Sequence, residues 1–156
     1  MVLASVARQS RSGHAVVELA LAAPWLFFLF VGALDFGFYA YSLIAVQNAA
    51  RVAALKTGAL YDNYVQALAD PGVVKPFACR SVRDELQKLP NFGVLPADCG
   101  GSPLDVQVSS FLDVSGKPAL RVAVDYETIP LVPIPALLPG KLRMTRTASI
   151  RVYGEP

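Results

Sequence analysis

Three patterns of apolar and polar positions succeed one another along the chain. From Ala15 to Leu34 nearly every residue is apolar; Glu18 is the one charge, and the next is Asp35. From there to Thr57 apolar and polar residues mix. Phe38, Tyr41, Ala45, Val46, Ala49, Val52 and Ala53 can share one broad helical face, with Gln47, Asn48, Arg51 and Lys56 off it. Beyond residue 103 the period shortens to two, the repeat of a strand with one buried face.

The apolar run has the length of a membrane span. A helix rises about 1.5 Å per residue, so a hydrocarbon core of ~30 Å needs about 20 residues. The run exceeds the apolar core of an ordinary cleaved signal peptide, about 7–15 residues. No short polar segment follows it, and the helical pattern simply continues. Pro24 is compatible with a membrane helix, where neighbours or local adjustment satisfy the freed carbonyl. Both stretches read as one helix over 15–57, stopped by Lys56 and Gly58. Its small residues Ala33, Gly37, Ala40, Ala45, Ala49 and Ala53 either admit a close neighbour or reflect helix propensity.

Residues 58–76 are a polar connection punctuated by Pro and Gly, with a short helix expected near Asn63–Ala69. Phe77–Leu89 reads as a second, amphipathic helix. Val82, Leu86 and Leu89 face inward, Arg83, Asp84 and Lys88 face outward, and Pro90 ends it. Residues 90–103 read as loop. Three strands follow: LDVQVSSF from Leu104, ALRVAVDY from Ala119, and KLRMTRTASIRVY from Lys141, in which Arg146 alone interrupts the apolar face. DVSGKP joins the first two as a hairpin. TIPLVPIPALLPG, with four prolines, cannot be a central strand and reads as an extended connection or a contact surface.

The expected fold class is α+β: a long N-terminal helix extended into a small domain with a short helix and a three- or four-stranded antiparallel sheet. The amphipathic half of the long helix, helped by the short one, is the natural cover for the sheet. The expected organisation is a leader over 1–13, the extended helix over 14–57 and a translocated domain over 58–156.

Composition and charge sharpen this outline. The chain of 156 residues is 54% hydrophobic, high for a soluble domain and apt for a short protein with one span. Its net charge of +2 is too small to suggest a nucleic-acid binder. Arg8 and Arg11 account for the whole excess of 14 basic over 12 acidic side chains. By the positive-inside tendency, residues 1–13 stay cytoplasmic and the C-terminal part is translocated. Cys79 and Cys99 both fall in that part. In an oxidising compartment they read as one disulfide closing a loop of about 20 residues, contributing roughly 3 kcal/mol; two separate buried thiols are the alternative. Their spacing is wrong for zinc.

Candidate chemistry is sparse. The one histidine is His14, so a Ser–His–Asp or Cys–His site in the translocated part is excluded. No glycine-rich phosphate loop follows a strand, and no carboxylate cluster suggests a metal. Glu18 stands out instead, because a charge within an apolar helix costs roughly 2.5–3.5 kcal/mol on insertion scales. It can lie near the headgroups. A cut after Gly13 offers a second explanation, since it would free the α-amine of His14 four residues from Glu18, where the two are helix neighbours. The amine of one subunit could also meet the glutamate of the next.

GHAVVE, a glycine, four residues and a glutamate between a basic leader and an apolar run, resembles the prepilin-peptidase site of type IV pilin-like proteins. RSGHAVVELALAAP, then LDFG, then QNAAR, resembles the TadE-like proteins of tight-adherence (Flp) pilus systems. The strands, Tyr126, the proline-rich stretch and the closing TRTASIRV resemble their C-terminal regions more loosely. The resemblance implies a non-enzymatic pseudopilin or minor pilin of a type IVb pilus, held in the bacterial inner membrane and cleaved by an aspartic prepilin peptidase. It would support pilus assembly, adherence and biofilm formation. Gly13 would precede the cut, His14 would be the new N-terminus and Glu18 the assembly glutamate. His14 stands where many type IV pilins have an N-methylated phenylalanine. Many major Flp pilins are far shorter than this chain, and that difference in length favours a minor role. The implied partners are the inner membrane, the peptidase, other pilin-like subunits and the Tad assembly platform. No cofactor, metal, nucleic acid or small-molecule substrate is expected. The competing reading is an uncleaved single-pass envelope protein whose periplasmic domain binds a ligand or partner.

Overall fold

The computed structural model describes residues 9–61, 71–129 and 141–152. The first eight residues of the leader, the short helix expected near 63–69, the proline-rich stretch from residue 130 and Tyr153 lie outside the described residues.

Helix α1 runs without a break over Gln9–Tyr61, 53 residues with Pro24 inside it. It is longer than the expected 15–57 at both ends. At the start, Gln9 to Gly13 contain no proline, and one glycine costs only about 1 kcal/mol of helix propensity, so nothing local stops the helix at His14. At the far end Gly58 does not cap the helix. It is fully inside it, and a Cβ at this position would stand 2.8 Å from Ile150 Cγ2. Gly58 is there for space, not for termination.

The chain divides into two compact units, Met1–Phe38 and Tyr39–Pro156. In the first, the apolar side chains from Ala15 to Leu34 are exposed, apart from Val31. This stretch belongs to the one helix among the described residues long and apolar enough to cross a membrane, over Gly13–Leu60.

In the second unit the sheet is four-stranded and antiparallel, in the order β1-β2-β3-β4. The strands are β1 (Gly100–Gly101), β2 (Leu104–Leu112), β3 (Pro118–Glu127) and β4 (Arg143–Arg151). β1 is a two-residue strand within the expected loop 90–103, which also holds a 3-10 turn over Phe92–Val94. The register aligns the alternation: Val106 faces Val124, Val108 faces Val122, Leu120 faces Ile150 and Tyr126 faces Met144. A slip of one residue would turn that apolar set outward.

Helix α2 covers Pro71–Leu86, beginning earlier and ending earlier than the expected 77–89. Proline suits the first helical turn, where its missing N–H has no partner to lose. Pro76 lies within the helix and does not end it. Leu89 is still buried, but in a tight turn whose amide donates to the Leu86 carbonyl at 3.0 Å. One core joins Val46, Ala49, Ala50, Ala53 and Ala54 of α1, Val74, Ala78, Val82 and Leu86 of α2, and Leu104, Val106, Leu120, Val122, Val124 and Tyr126 of the sheet. The helical cover expected for the sheet is therefore present.

The buried face of α1 is rotated from the expected one. Ser42, Val46, Ala49, Ala50, Ala53, Ala54, Thr57 and Gly58 point inward, while Tyr41 is exposed and Phe38 and Val52 are only half-buried. The cause is size. Close approach to the sheet and α2 selects alanine and glycine and admits two small hydroxyl residues, so the bulkier aromatic is left outside.

Candidate functional site

Gly13, His14 and Glu18 all lie on α1 in the first unit, and all three are exposed. His14 and Glu18 are four residues apart and therefore share a helix face. A Cβ at Gly13 would meet nothing within 4 Å. Among the described residues, packing thus gives no reason for glycine there, in contrast to Gly58. The bond between Gly13 and His14 lies inside α1, five residues from its described start at Gln9, rather than in an irregular leader.

Cys79 on α2 and Cys99 just before β1 are bonded to each other, with Cα atoms 5.8 Å apart across a separation of 20 residues. Arg83, one turn on from Cys79, secures the same loop. Its Nη1 donates to the carbonyls of Leu95 at 2.8 Å and Pro96 at 2.6 Å, and its guanidinium lies 5.2 Å from the Phe92 ring centroid. Cys79 and Arg83 therefore pin residues 92–99 onto one side of α2. An open groove of 550 Å³ runs beside them, lined by Lys75, Pro76, Arg80, Arg83, Phe92 and Asp98 among others. Its cations are largely engaged: Arg83 by those carbonyls and Lys75 by Asp105 at 3.7 Å.

The outer face of the sheet is polar and charged. Asp105 and Asp125 stand opposite each other on β2 and β3, an arrangement that would repel unless offset. Lys75 answers Asp105, while Arg143 at 3.9 Å and the Thr145 hydroxyl answer Asp125. Glu127 is held below the usual carboxylate range, chiefly by the Ser102 hydroxyl that donates to it at 2.7 Å and then by Lys141 at 3.2 Å. On the inner side, the Tyr126 hydroxyl donates to Asn91 Oδ1 at 2.6 Å, and burial pushes its pKa above the ordinary phenol value. These groups each have a structural partner. Among the described residues no set of three His, Cys, Asp or Glu side chains is placed to hold a metal.

The β2–β3 turn forms where DVSGKP was expected to make a hairpin; the exposed valine it carries is what the sequence pattern did not single out. Asp113 organises it: Oδ1 accepts from the amides of Ser115 at 2.7 Å and Lys117 at 3.0 Å, and Arg151 pairs with the same carboxylate. The Asp113 amide donates to the Lys117 carbonyl at 2.8 Å, and Gly116 takes φ +70°, which a residue with a Cβ rarely adopts. So fixed, the turn holds Val114 fully in solvent. The signal was the valine itself, an apolar residue at a position where turns are polar.

Residues 13–55 match the family model described as TadE-like protein. The matched segment lies wholly within α1 and contains Gly13, His14 and Glu18; the disulfide and the sheet lie outside it. No curated protein and no solved structure matches the chain.

Proposed function

We propose that this chain, whose residues 13–55 are TadE-like, is a minor pilin or pseudopilin of a Tad pilus system, a structural subunit and not an enzyme. The observation that carries the reading is the TadE-like match over a helix that combines three features: an exposed apolar stretch long enough to span a bilayer, Gly13, and Glu18 five residues later. In this reading residues 1–13 lie on the cytoplasmic side of the inner membrane, as the two leader arginines favour, and the disulfide-bearing unit lies in the periplasm. Prepilin peptidase cuts after Gly13. The new α-amine of His14 then sits one helical turn from the Glu18 carboxylate, on the same subunit or on a neighbour offset along the axis. In a medium of low dielectric such a pair fixes register, because an unpaired charge there is costly. The protein would thereby support pilus assembly, adherence and biofilm formation, with the Tad membrane platform and other pilin-like subunits as partners.

Two features of the chain support processing over an uncleaved anchor. Among the described residues nothing packs against Gly13, and Glu18 is exposed on the helix and joins no ion pair. The test is Glu18→Ala in cells that make the pilus. The variant should insert in the membrane at wild-type level, because it removes a charge from an apolar helix. Pilus assembly should fall sharply. Normal piliation by the variant would remove the assembly role from Glu18.

A further inference from the structure

Arg146 interrupts the apolar side of β4 and has no part in the membrane helix or the Gly13 site. In the sheet it stands opposite Val124, in the same row as Val106, with Met144 buried and Ala148 and Ile150 half-buried along its own strand. A guanidinium on that side is costly unless its charged end leaves the apolar surface. The side chain turns back along β4, and its Nη1 donates to the Thr145 carbonyl at 3.4 Å.

That carbonyl belongs to a free edge. β4 is the last strand of the sheet, and among the described residues no strand pairs on its far side. The Val152 amide donates to the Pro118 carbonyl and the Thr128 amide to the Leu142 carbonyl, both at 3.0 Å. In an antiparallel ladder such bonds recur at every second residue, so the even-numbered positions of β4 bond to β3. Arg143, Thr145, Thr147, Ser149 and Arg151 therefore turn their N–H and C=O groups outward. An open edge of nine residues is a template for another strand.

Charge decides which strand fits. From Lys141 to Val152 the sequence has four basic residues and no acidic one. Lys141 is answered by Glu127, Arg143 by Asp125 and Arg151 by Asp113. Arg146 joins no ion pair among the described residues. A second copy of β4 would bring it only like charge, which is destabilising across a strand pair. The chain's own stretch over 130–140 has four prolines and no carboxylate in its sequence. A strand with one carboxylate beside Arg146 and apolar residues beside Ala148 and Ile150 matches the edge. The guanidinium then leaves the Thr145 carbonyl for the stronger, charge-assisted bond to the carboxylate, and that carbonyl is released to accept from the incoming strand.

We infer that the free edge of β4 binds an extended segment of a partner protein by strand addition, with Arg146 selecting a carboxylate on that segment. The main-chain groups of the edge supply the attachment, and the arginine supplies the choice. The inference concerns the second unit alone and does not depend on cleavage at Gly13.

The test uses the full-length chain purified in detergent and the fluorescently labelled peptide Thr-Val-Thr-Val-Thr-Glu-Thr. Running antiparallel to β4, its valines fall beside Ile150 and Ala148 and its glutamate beside Arg146. Fluorescence anisotropy should show binding, and the same peptide with glutamine or lysine in place of glutamate should bind several-fold more weakly. Arg146→Glu should reverse the order, so that the lysine peptide binds best. Thr147→Pro removes an outward N–H and leaves the ladder to β3 intact. It should abolish binding while circular dichroism and the unfolding midpoint stay near wild type. Absence of binding by the glutamate peptide would overturn the inference, as would equal binding of the three peptides or an order unchanged in Arg146→Glu. Undiminished binding by folded Thr147→Pro would place the contact away from the edge and overturn it too. So would binding that appears only in Arg146→Val, since the arginine would then bar strands rather than select one.

Discussion

Gly58 shows how much a single residue can hide. By propensity alone, Gly58→Ala should stabilise α1 by up to about 1 kcal/mol. The space is missing, however: the new methyl would stand 2.8 Å from Ile150 Cγ2, on a β-branched side chain that cannot swing the methyl aside freely. Overpacking of this kind costs typically 1–3 kcal/mol, so the net effect should be destabilising. Thermal unfolding of the purified chain should show a lower midpoint for Gly58→Ala, recovered in part by adding Ile150→Ala; a raised midpoint would mean that the helix and β4 separate easily. Asp113 makes a second residue-scale prediction. Its pKa is lowered chiefly by the Lys117 amide, against the desolvation that raises it, with the Ser115 amide and Arg151 adding to the lowering. A depressed folded-state pKa stabilises fully above the unfolded value of about 3.9, and that stability is lost as pH falls through the lower folded value. The unfolding midpoints of wild type and Asp113→Asn should therefore differ at pH 7 and draw together at pH 3. A gap of the same size at both values would show that the carboxylate charge is irrelevant to the turn.

At the level of elements, the sheet and its cover were legible in the sequence, because period-two alternation fixes which side is buried and nearly fixes the register. Leu104, Val106, Leu120, Val122, Val124 and Tyr126 all face the core. Helix ends were less legible. Lys56 and Gly58 have the chemistry of a C-terminus, yet tertiary contact with β4 uses the glycine and lets α1 run on to Tyr61. The inward face of α1 was misjudged around Tyr41 for the same reason, since close packing prefers small residues to hydrophobic ones. The loop after α2 depends on one contact that the cysteine count suggested, the disulfide, and on another that no local pattern encodes, the grip of Arg83. The Cys79–Cys99 bond and the two Arg83 hydrogen bonds hold it from separate points. Replacing both cysteines by serine should cost roughly 3 kcal/mol in denaturant unfolding of the oxidised protein. Arg83 should still keep the loop near α2, so the variant should remain folded. Loss of all cooperative unfolding would mean that the disulfide alone supports this element.

For the whole molecule, the candidate site was legible because its signal is local. Gly13, His14 and Glu18 lie within six residues, and the TadE-like match runs over the segment that contains them. The exposed valine at the β2–β3 turn was not legible, since the turn that presents it is held by Arg151, far off in the chain. The central claim is that the apolar helix serves as a membrane anchor and, after a cut at Gly13, as a subunit of an assembly. The most direct test is mass spectrometry of the N-terminus of the protein recovered from cells with and without prepilin peptidase. A chain beginning at His14 when the peptidase is present, and an uncut chain when it is absent, is the expected result; an uncut N-terminus in both would contradict it.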